Sequence, residues 1–391
     1  MLTSLGNIEA TPLASVTMVD FVTGDILYLT GDARTLVGPD ALVVMPRQRV
    51  ITEVTVTGYT FVRNALPVRQ RRGTQAIRSP YSPPIRLLAE ETTEGASKYF
   101  DDDASVTLAS IKILCDDLAT FTWETSKPVV IQPGQTAILD FTDLVGKTKY
   151  QHMAPFKPTS VNDDRIRTWT ISSAHLSPEG TKSFDLTMRE KPEGVITGAL
   201  FTIARKLNTM RPELLGDTRP LGLKIKLAGI SGSFTLPDSP ITQISQESPP
   251  TSMLWLAGGI GVTPFLSMLS AIANSSSNAR WDIVFALSTR EPEVLVPLIS
   301  AALGSHIPKL RLAIHVFSNK PIPPFPTLSP ADELEVTFHT HSGRVDQTVF
   351  ETEDLQSRKV YMCGPEEFER AMLKTLGDYG VREAVRESFE Y

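Results

Sequence analysis

A short glycine-rich segment is the part of this chain of 391 residues that is best suited to chemistry. An apolar run leads into Gly258, Gly259 and Gly261, and Thr263 and Pro264 follow. Glycines let a backbone approach a pyrophosphate closely, and the amide groups at the start of a helix favour its negative charge. We therefore expect a dinucleotide-binding loop, with Thr263 as the cap of the next helix. The alternative is a tight strand–helix turn that binds nothing.

A second apolar run ends further along the chain at Cys363, Gly364 and Pro365. Glu366 and Glu367 follow, and acidic residues are favourable in the first turn of a helix. Open parallel sheets bind ligands at the carboxyl ends of their strands, so Cys363 is expected beside the glycine loop. The alternative is a buried, inert thiol.

A third group of residues offers the means to bind a flat, phosphorylated ring. Arg167 can chelate a phosphate, the ring of Trp169 can cover a planar group, and Thr170 can hydrogen-bond a ring nitrogen. The alternative is an ordinary alternating strand. The chain ends with Phe389 and Tyr391, which are either frayed or docked against a flat surface.

Three blocks of sequence must position these residues. Residues 1–88 contain short strands and turns, which predict a small β-barrel or part of one. Residues 105–237 are again rich in β-patterns, and in 251–391 apolar runs alternate with helix-like stretches, as in a parallel sheet covered by helices on both faces. An acidic linker, 89–104, and a second linker, 238–250, separate the three blocks.

Two local predictions complete this coarse assignment. Residues 194–206 are expected to form a helix that opens near Thr197, because they are rich in Ala, Leu and Ile. Residues 41–45 are grouped with the strands of the first block, since they are short, apolar and bounded by turns.

Composition excludes several classes of protein. The 38 Lys and Arg against 44 Asp and Glu give a net charge of −6, which argues against nucleic-acid binding and against a polybasic membrane binder. The 41% hydrophobic and 21% charged residues are ordinary for globular proteins. No apolar run is long enough to span a membrane, and no signal peptide is visible, so a cytoplasmic protein is expected.

No metal site is predicted from the cysteines and histidines. Two cysteines cannot supply a disulfide framework or a cysteine-ligated cluster. His339 and His341 have a spacing that a metal site could use, but a polar strand end explains them more simply.

Taken together, the motifs resemble the ferredoxin–NADP reductase superfamily over residues 105–391. In that family an antiparallel β-barrel binds FAD and a following α/β domain binds NAD(P)H. The motifs occur here in the family's order: residues 133–135, 167–170, 194–200, 229–234, 258–264, 363–365 and 387–391. Residues 229–232 depart from the family's usual Gly-Pro-x-Gly turn, and Trp169 stands where the family usually has a tyrosine.

This resemblance assigns roles to individual residues. It implies FAD contacts for Arg167, Trp169, Thr170, Gly194, Val195, Thr197 and Tyr391. It implies contacts with the nicotinamide dinucleotide for Gly258, Gly259, Gly261, Thr263, Ser288, Arg290, Gly364 and Pro365. Cys363 and Thr170 would lie at the centre of hydride transfer as catalytic residues. The hydroxyl of Ser288 and the cation of Arg290 suit a 2′-phosphate, but Glu291 follows at once, so NADPH is only slightly favoured over NADH.

The first block resembles the later part of a pyridoxamine-phosphate-oxidase-like split barrel. Residues 2–11, 23–31 and 79–84 carry this likeness. Because such a barrel needs a longer chain, we expect a truncated or remnant barrel and do not expect it to bind FMN.

The resemblance implies a multidomain, flavin-dependent oxidoreductase that passes hydride from NAD(P)H to FAD and electrons onward. The acceptor is not identifiable and is either a small molecule or a protein. One alternative is a reductase component that serves a separate haem or oxygenase partner. Another is a non-catalytic interaction module that has lost its flavin.

Overall fold

The computed structural model of the chain describes most of its residues. They are 2–45, 48, 50–70, 88–91, 104–146, 154, 156, 160–161, 163–237, 250–275, 279–304, 310–326, 334–351, 355–381 and 383–388. Most of both predicted linkers, and Tyr391, lie outside them. The chain forms two compact units, Met1–Tyr99 with Thr148–Asp163 and Phe100–Lys147 with Asp164–Tyr391.

The first unit contains a three-stranded antiparallel sheet. Its elements are α1 (Leu2–Ala10), β1 (Leu13–Val19), β2 (Ile26–Val37), α2 (Pro39–Val44) and β3 (Val50–Val62), with β2 in the centre of the sheet. The strand predicted at 41–45 is wrong, because these residues belong largely to α2. Gly38 has a φ of 63°, which ends the extended backbone, and Pro39 then starts the helix. The likeness of this unit to a split barrel stays a prediction.

The second unit begins with a six-stranded antiparallel sheet. Its strands are β4 (Ser105–Cys115), β5 (Leu118–Val129), β6 (Thr136–Asp140), β7 (Ile166–Thr170), β8 (Thr181–Arg189) and β9 (Lys224–Ser231). Their order is β7-β6-β9-β4-β5-β8. Two helices accompany them, α3 (Thr142–Val145) and α4 (Val195–Met210). Phe201 of α4 meets Phe121 of β5 edge to face, with 5.6 Å between the ring centroids, so α4 packs on the apolar face of the sheet.

A six-stranded parallel sheet follows, with helices on both faces. Its strands are β10 (Thr251–Gly258), β11 (Trp281–Ser288), β12 (Leu310–Ser318), β13 (Leu334–Ser342), β14 (Lys359–Gly364) and β15 (Val385–Ser388). The helices are α5 (Thr263–Ala273), α6 (Pro292–Leu303) and α7 (Glu366–Asp378). Side chains of α5 and α6 share one core, and Met372 and Leu376 of α7 belong to another. The predicted fold class is confirmed for this unit. Within the described ranges, no helix is both long and apolar enough to cross a membrane.

Candidate active site

The order of the parallel strands creates a crevice at one edge of the sheet. The strands lie in the order β13-β12-β11-β10-β14-β15, so the chain runs outward from β10 and then returns to place β14 at the other side of β10. Ala257 of β10 and Cys363 of β14 are paired in register. The glycine loop and the Gly364–Pro365 turn therefore emerge side by side, at the kind of switch point where open α/β sheets bind ligands.

Two of the three glycines in the loop are closely packed, and the third has open space beside it. A Cβ on Gly261 would lie 2.2 Å from the carbonyl oxygen of Cys363, and one on Gly258 would lie 2.9 Å from the ring of Phe368. These two glycines allow the loop to pack directly against β14 and α7. Gly259 has a φ of 55°, and a Cβ there would meet nothing within 4 Å. Gly259 is therefore the glycine at which a ligand can approach the backbone.

The start of α5 differs from the predicted cap. Residues Gly259–Val262 form a 3₁₀ turn that runs directly into α5. The hydroxyl of Thr263 donates to the carbonyl oxygen of Ile260 at 3.1 Å, so it does not cap the helix. Pro264 lies in the first turn, as expected. The amide groups of this turn remain the natural contact for a pyrophosphate.

Cys363 is a fully buried thiol at this crevice. Burial raises the pKa of the Cys363 thiol well above its usual value, and the carboxylates of Glu387 and Glu369 raise it further. The pKa of Glu387 is also raised, by burial and by Glu369. Glu387 is the register partner of Cys363 on β15. The thiol is therefore neutral at physiological pH, which suits a small contact surface and not a nucleophile.

Thr170 ends β7 in the antiparallel sheet. Its side chain is 3% exposed, and its hydroxyl makes no hydrogen bond within the described part of the chain. A buried hydroxyl without a partner is costly, so this atom fits a ligand that supplies an acceptor or a donor. A ring nitrogen of a bound flavin is such a group.

Arg167 and Trp169, which precede Thr170 in β7, were predicted to bind a phosphate and to stack on a flavin ring, respectively. Arg167 is half-buried, and its guanidinium donates to the carbonyl oxygen of Ile166 at 2.8 Å. Trp169 is 9% exposed and meets Phe141 edge to face at 5.4 Å, so its indole fills the core of the antiparallel domain. The structure therefore gives no support to Trp169 as a stacking surface for flavin.

The segment predicted to hold the FAD pyrophosphate is the start of α4. Gly194 is the cap residue and Val195, which is exposed, is the first helical residue. The helix thus begins before Thr197, whose hydroxyl accepts a hydrogen bond from the amide of Lys191 at 3.1 Å. The amide groups of the first turn, more than the Thr197 hydroxyl, are therefore suited to phosphate binding.

The residues predicted to choose between NADPH and NADH follow β11. Ser288 is the last residue of that strand and Arg290 is exposed. The hydroxyl of Thr289, between them, accepts from the amide of Glu291 at 2.9 Å and so closes the turn into α6. Ser288 and Arg290 thus lie at the same carboxyl edge of the sheet as the glycine loop.

Ser267 is the main residue that sequence reasoning missed. It is fully buried in α5 and accepts a hydrogen bond from the amide of Gly134 at 3.3 Å. It also donates to the carbonyl oxygen of Ser173, three residues after Thr170, at 2.9 Å. One signal was present in the sequence, since Ser267 is a polar residue within the most apolar stretch of α5. Glu387 was noted only as part of the chain terminus.

Comparisons with known proteins bear on this site. Residues 255–374 match the family of oxidoreductase NAD-binding domains. This match covers 120 of the 391 residues and lies within the α/β domain. This family match and the reductase relatives confirm the resemblance to the ferredoxin–NADP reductase superfamily.

Two relatives and one solved structure illustrate the likeness. The reductase subunit of glycine betaine monooxygenase from Chromohalobacter salexigens is 24% identical over 68% of this chain and 57% of its own length. A flavohemoprotein from Xylella fastidiosa is 29% identical over 46% of this chain and 39% of its own. A ferredoxin NADP+ reductase from Neisseria gonorrhoeae, solved with FAD and NADP, is 16% identical over 73% and 97% of the two chains, at a TM-score of 0.46. The chain thus spans about half the length of the two relatives.

Proposed function

We propose that the chain is an FAD-dependent NAD(P)H oxidoreductase. The supporting observation is the junction at Ser267, which ties the backbone just after Thr170 to the helix that follows the glycine loop. A flavin held at the end of β7 and a nicotinamide held at the end of β10 would then meet across one fixed junction. Fixing two reactants in this way removes much of the entropic cost of their reaction.

Different residues of the site would bind FAD and the nicotinamide nucleotide. Arg167 and the first turn of α4 would hold the phosphates of FAD, and the hydroxyl of Thr170 would hydrogen-bond its ring. The loop at Gly259 would hold the pyrophosphate of the nicotinamide nucleotide. Cys363, buried and neutral, would give the nicotinamide a small and dry contact surface. When bound, the cofactors supply the chemistry, which is hydride transfer from nicotinamide to flavin N5.

The electrons leave to an acceptor outside this chain. The likeness to a subunit named as the reductase of a monooxygenase favours a separate oxygenase or haem protein as that acceptor. A non-catalytic module is less favoured, because packing alone does not account for the unpaired hydroxyl of Thr170 beside a tied junction.

The visible spectrum of the purified protein tests the proposal. We expect flavin absorption bands that bleach when NADPH or NADH is added without oxygen. Arg167→Ala should lose FAD, whereas Cys363→Ala should keep FAD and bleach more slowly. A folded, colourless protein that takes up no added FAD would refute the proposed function and support the non-catalytic alternative.

A further inference from the structure

An acidic residue follows directly after Ser288 and Arg290, the two residues that were predicted to bind a 2′-phosphate. Glu291 follows Arg290 directly and caps α6, at the carboxyl edge of the parallel sheet. A free carboxylate at this place would repel a phosphate and would accept the 2′-hydroxyl of NADH instead. The charge state of this edge therefore depends on what Glu291 contacts.

Glu291 is bound by an arginine of the antiparallel domain. Arg189, the last residue of β8, donates from Nη1 to Oε1 of Glu291 at 3.0 Å, and its Nη2 forms an ion pair with Oε2. This two-point pairing fixes the direction of the carboxylate and offsets part of its charge. Asp117, in the turn between β4 and β5, forms an ion pair with the same guanidinium. The Glu291 side chain is 22% exposed and the Arg189 side chain 32%, so solvent screens the pair only in part.

Glu293, in the first turn of α6, is also paired, but through a single exposed contact. Glu293 pairs with Lys320, which follows β12, at 3.0 Å. Arg290 is exposed and makes no ion pair with a residue that the structure describes. Arg189 carries one positive charge against the two carboxylates of Glu291 and Asp117, so its pairing does not make this edge neutral. Its effect is to bind the carboxylate of Glu291 at two points, directly beside the guanidinium of Arg290.

We propose that Arg189 determines the nucleotide specificity of this protein. By holding the carboxylate of Glu291, it lets Ser288 and Arg290 bind the 2′-phosphate of NADPH. Arg189 is the last residue of β8 in the antiparallel sheet, and in this proposal it acts through Glu291 as a positioning residue. This inference rests on the proposed function, since it requires a nicotinamide nucleotide at the glycine loop.

Calorimetric binding of 2′,5′-ADP and of 5′-AMP to the full chain tests the proposal without any redox step. The wild-type protein should bind 2′,5′-ADP more tightly. Arg189→Met should weaken the binding of 2′,5′-ADP by about tenfold, because an unpaired carboxylate then faces the phosphate. It should leave the affinity for 5′-AMP unchanged. The double variant Arg189→Met/Glu291→Gln should restore the wild-type ratio. High salt should reduce the loss of 2′,5′-ADP affinity in the Arg189→Met variant, because salt screens the repulsion between charges.

The control is Arg219→Met, which removes an arginine paired with Glu124 and Asp217 on the antiparallel domain. It should leave both affinities unchanged. A wild-type protein that prefers 5′-AMP, or a ratio that does not respond to Arg189→Met, overturns the specificity proposal and leaves the oxidoreductase proposal standing. Binding of neither probe by the folded wild-type protein overturns both proposals. A double variant that is as weak as the single one also overturns the specificity proposal, because Glu291 would then not be the cause.

Discussion

The hydroxyl of Ser267 donates a hydrogen bond of 2.9 Å to the carbonyl oxygen of Ser173, so helix α5 beside the parallel sheet is joined to the backbone that follows β7 of the antiparallel sheet. The same hydroxyl accepts from the amide of Gly134, which also belongs to the antiparallel domain. A Cβ on Gly134 would lie 2.1 Å from the carbonyl oxygen of Phe234 and 2.7 Å from Met268, so this contact is closely packed. A buried hydroxyl therefore bonds helix α5 to the segment that follows Thr170 and to the turn that precedes β6.

Replacing Ser267 with alanine should loosen this junction. The amide of Gly134 and the carbonyl of Ser173 would lose their partner in a buried place, which costs about 1–3 kcal/mol of unfolding free energy. Hydride transfer should slow, because the two cofactors would no longer be held at a fixed separation. Urea unfolding measures the first effect and stopped-flow bleaching of the flavin by NADPH measures the second.

Ser270→Ala is the matched control on the same helix. Its hydroxyl accepts only from the exposed amide of Asn274 among the contacts described, so stability and bleaching rate should both stay near wild type. Equal behaviour of Ser267→Ala and the wild-type protein in both measurements would contradict the role of the junction.

The fold of the α/β domain was predictable because its strands are buried on both faces. Leu254 and Trp255 of β10 lie in different cores and are both fully buried, so the strand is apolar from Met253 to Ala257 and stands out in the sequence. Strand β13 was predicted only at its polar end, because it lies at the sheet edge, where its solvent-facing residues break the apolar run. Residues 41–45 were misassigned because a short apolar run does not distinguish a strand from one helical turn.

The candidate site was predictable only where chemistry depends on local sequence. The glycine loop begins at the end of β10 and Cys363 lies near the end of β14, so a parallel sheet places them at one edge. The pairing of Arg189 with Glu291 joins residues that are 102 positions apart, and no periodicity reports such a contact. The burial of Trp169 against Phe141 likewise depends on how the sheet closes over its core.

Thr170→Val should separate stability from activity. Valine has nearly the same shape and removes a buried hydroxyl that lacks a partner, so the cofactor-free protein should become more stable by up to about 1 kcal/mol. Bleaching by NADPH should become slower, because the hydrogen bond to the flavin ring is lost. Urea unfolding of the cofactor-free protein and stopped-flow absorbance check the two effects.

Thr168→Val, at an exposed position two residues earlier in the same strand, is the control and should change neither quantity much. If Thr170→Val bleached at the wild-type rate, the catalytic assignment of Thr170 would be wrong.

Gly261→Ala should damage the crevice. The new Cβ would lie 2.2 Å from the carbonyl oxygen of Cys363, which is backbone and cannot turn aside, so the loop must move away from β14. We expect a loss of at least about 1–3 kcal/mol in stability, as for other overpacked sites, and weaker nucleotide binding.

Gly198→Ala, in α4, is the control. A Cβ there meets nothing within 4 Å, so it should stabilise the protein by about 0.4–1 kcal/mol. A Gly261→Ala protein with wild-type stability and affinity would contradict the packing argument.

Three histidines on β12 and β13 form a stack outside the site. The ring of His315 lies 4.7 Å from that of His339 and 5.2 Å from that of His341, between centroids, and His341 stacks on Phe317. Nδ1 of His315 and Nε2 of His341 are 3.0 Å apart and share one hydrogen bond. Within the described residues, no three potential ligands are arranged to hold a metal ion. The burial of His315 in this stack instead makes the stability of the folded protein depend on pH.

His315 should make the folded protein less stable as the pH falls from about 6.5 to about 4. Burial, together with the charges of His339 and His341, lowers the pKa of His315 from 6.5 to about 4, and Asp346 opposes this shift. In this window the unfolded chain binds a proton at His315 that the folded chain does not, so stability is lost as the pH falls through it. Because the group is partly exposed, we expect a loss of about 1 kcal/mol near pH 5 relative to pH 7.

His315→Phe, which keeps a ring in the stack and cannot titrate, should remove this part of the pH dependence in urea unfolding. If the imidazole resonance of His315 titrated near pH 6.5 in the NMR spectrum of the folded wild-type protein, the prediction would be wrong.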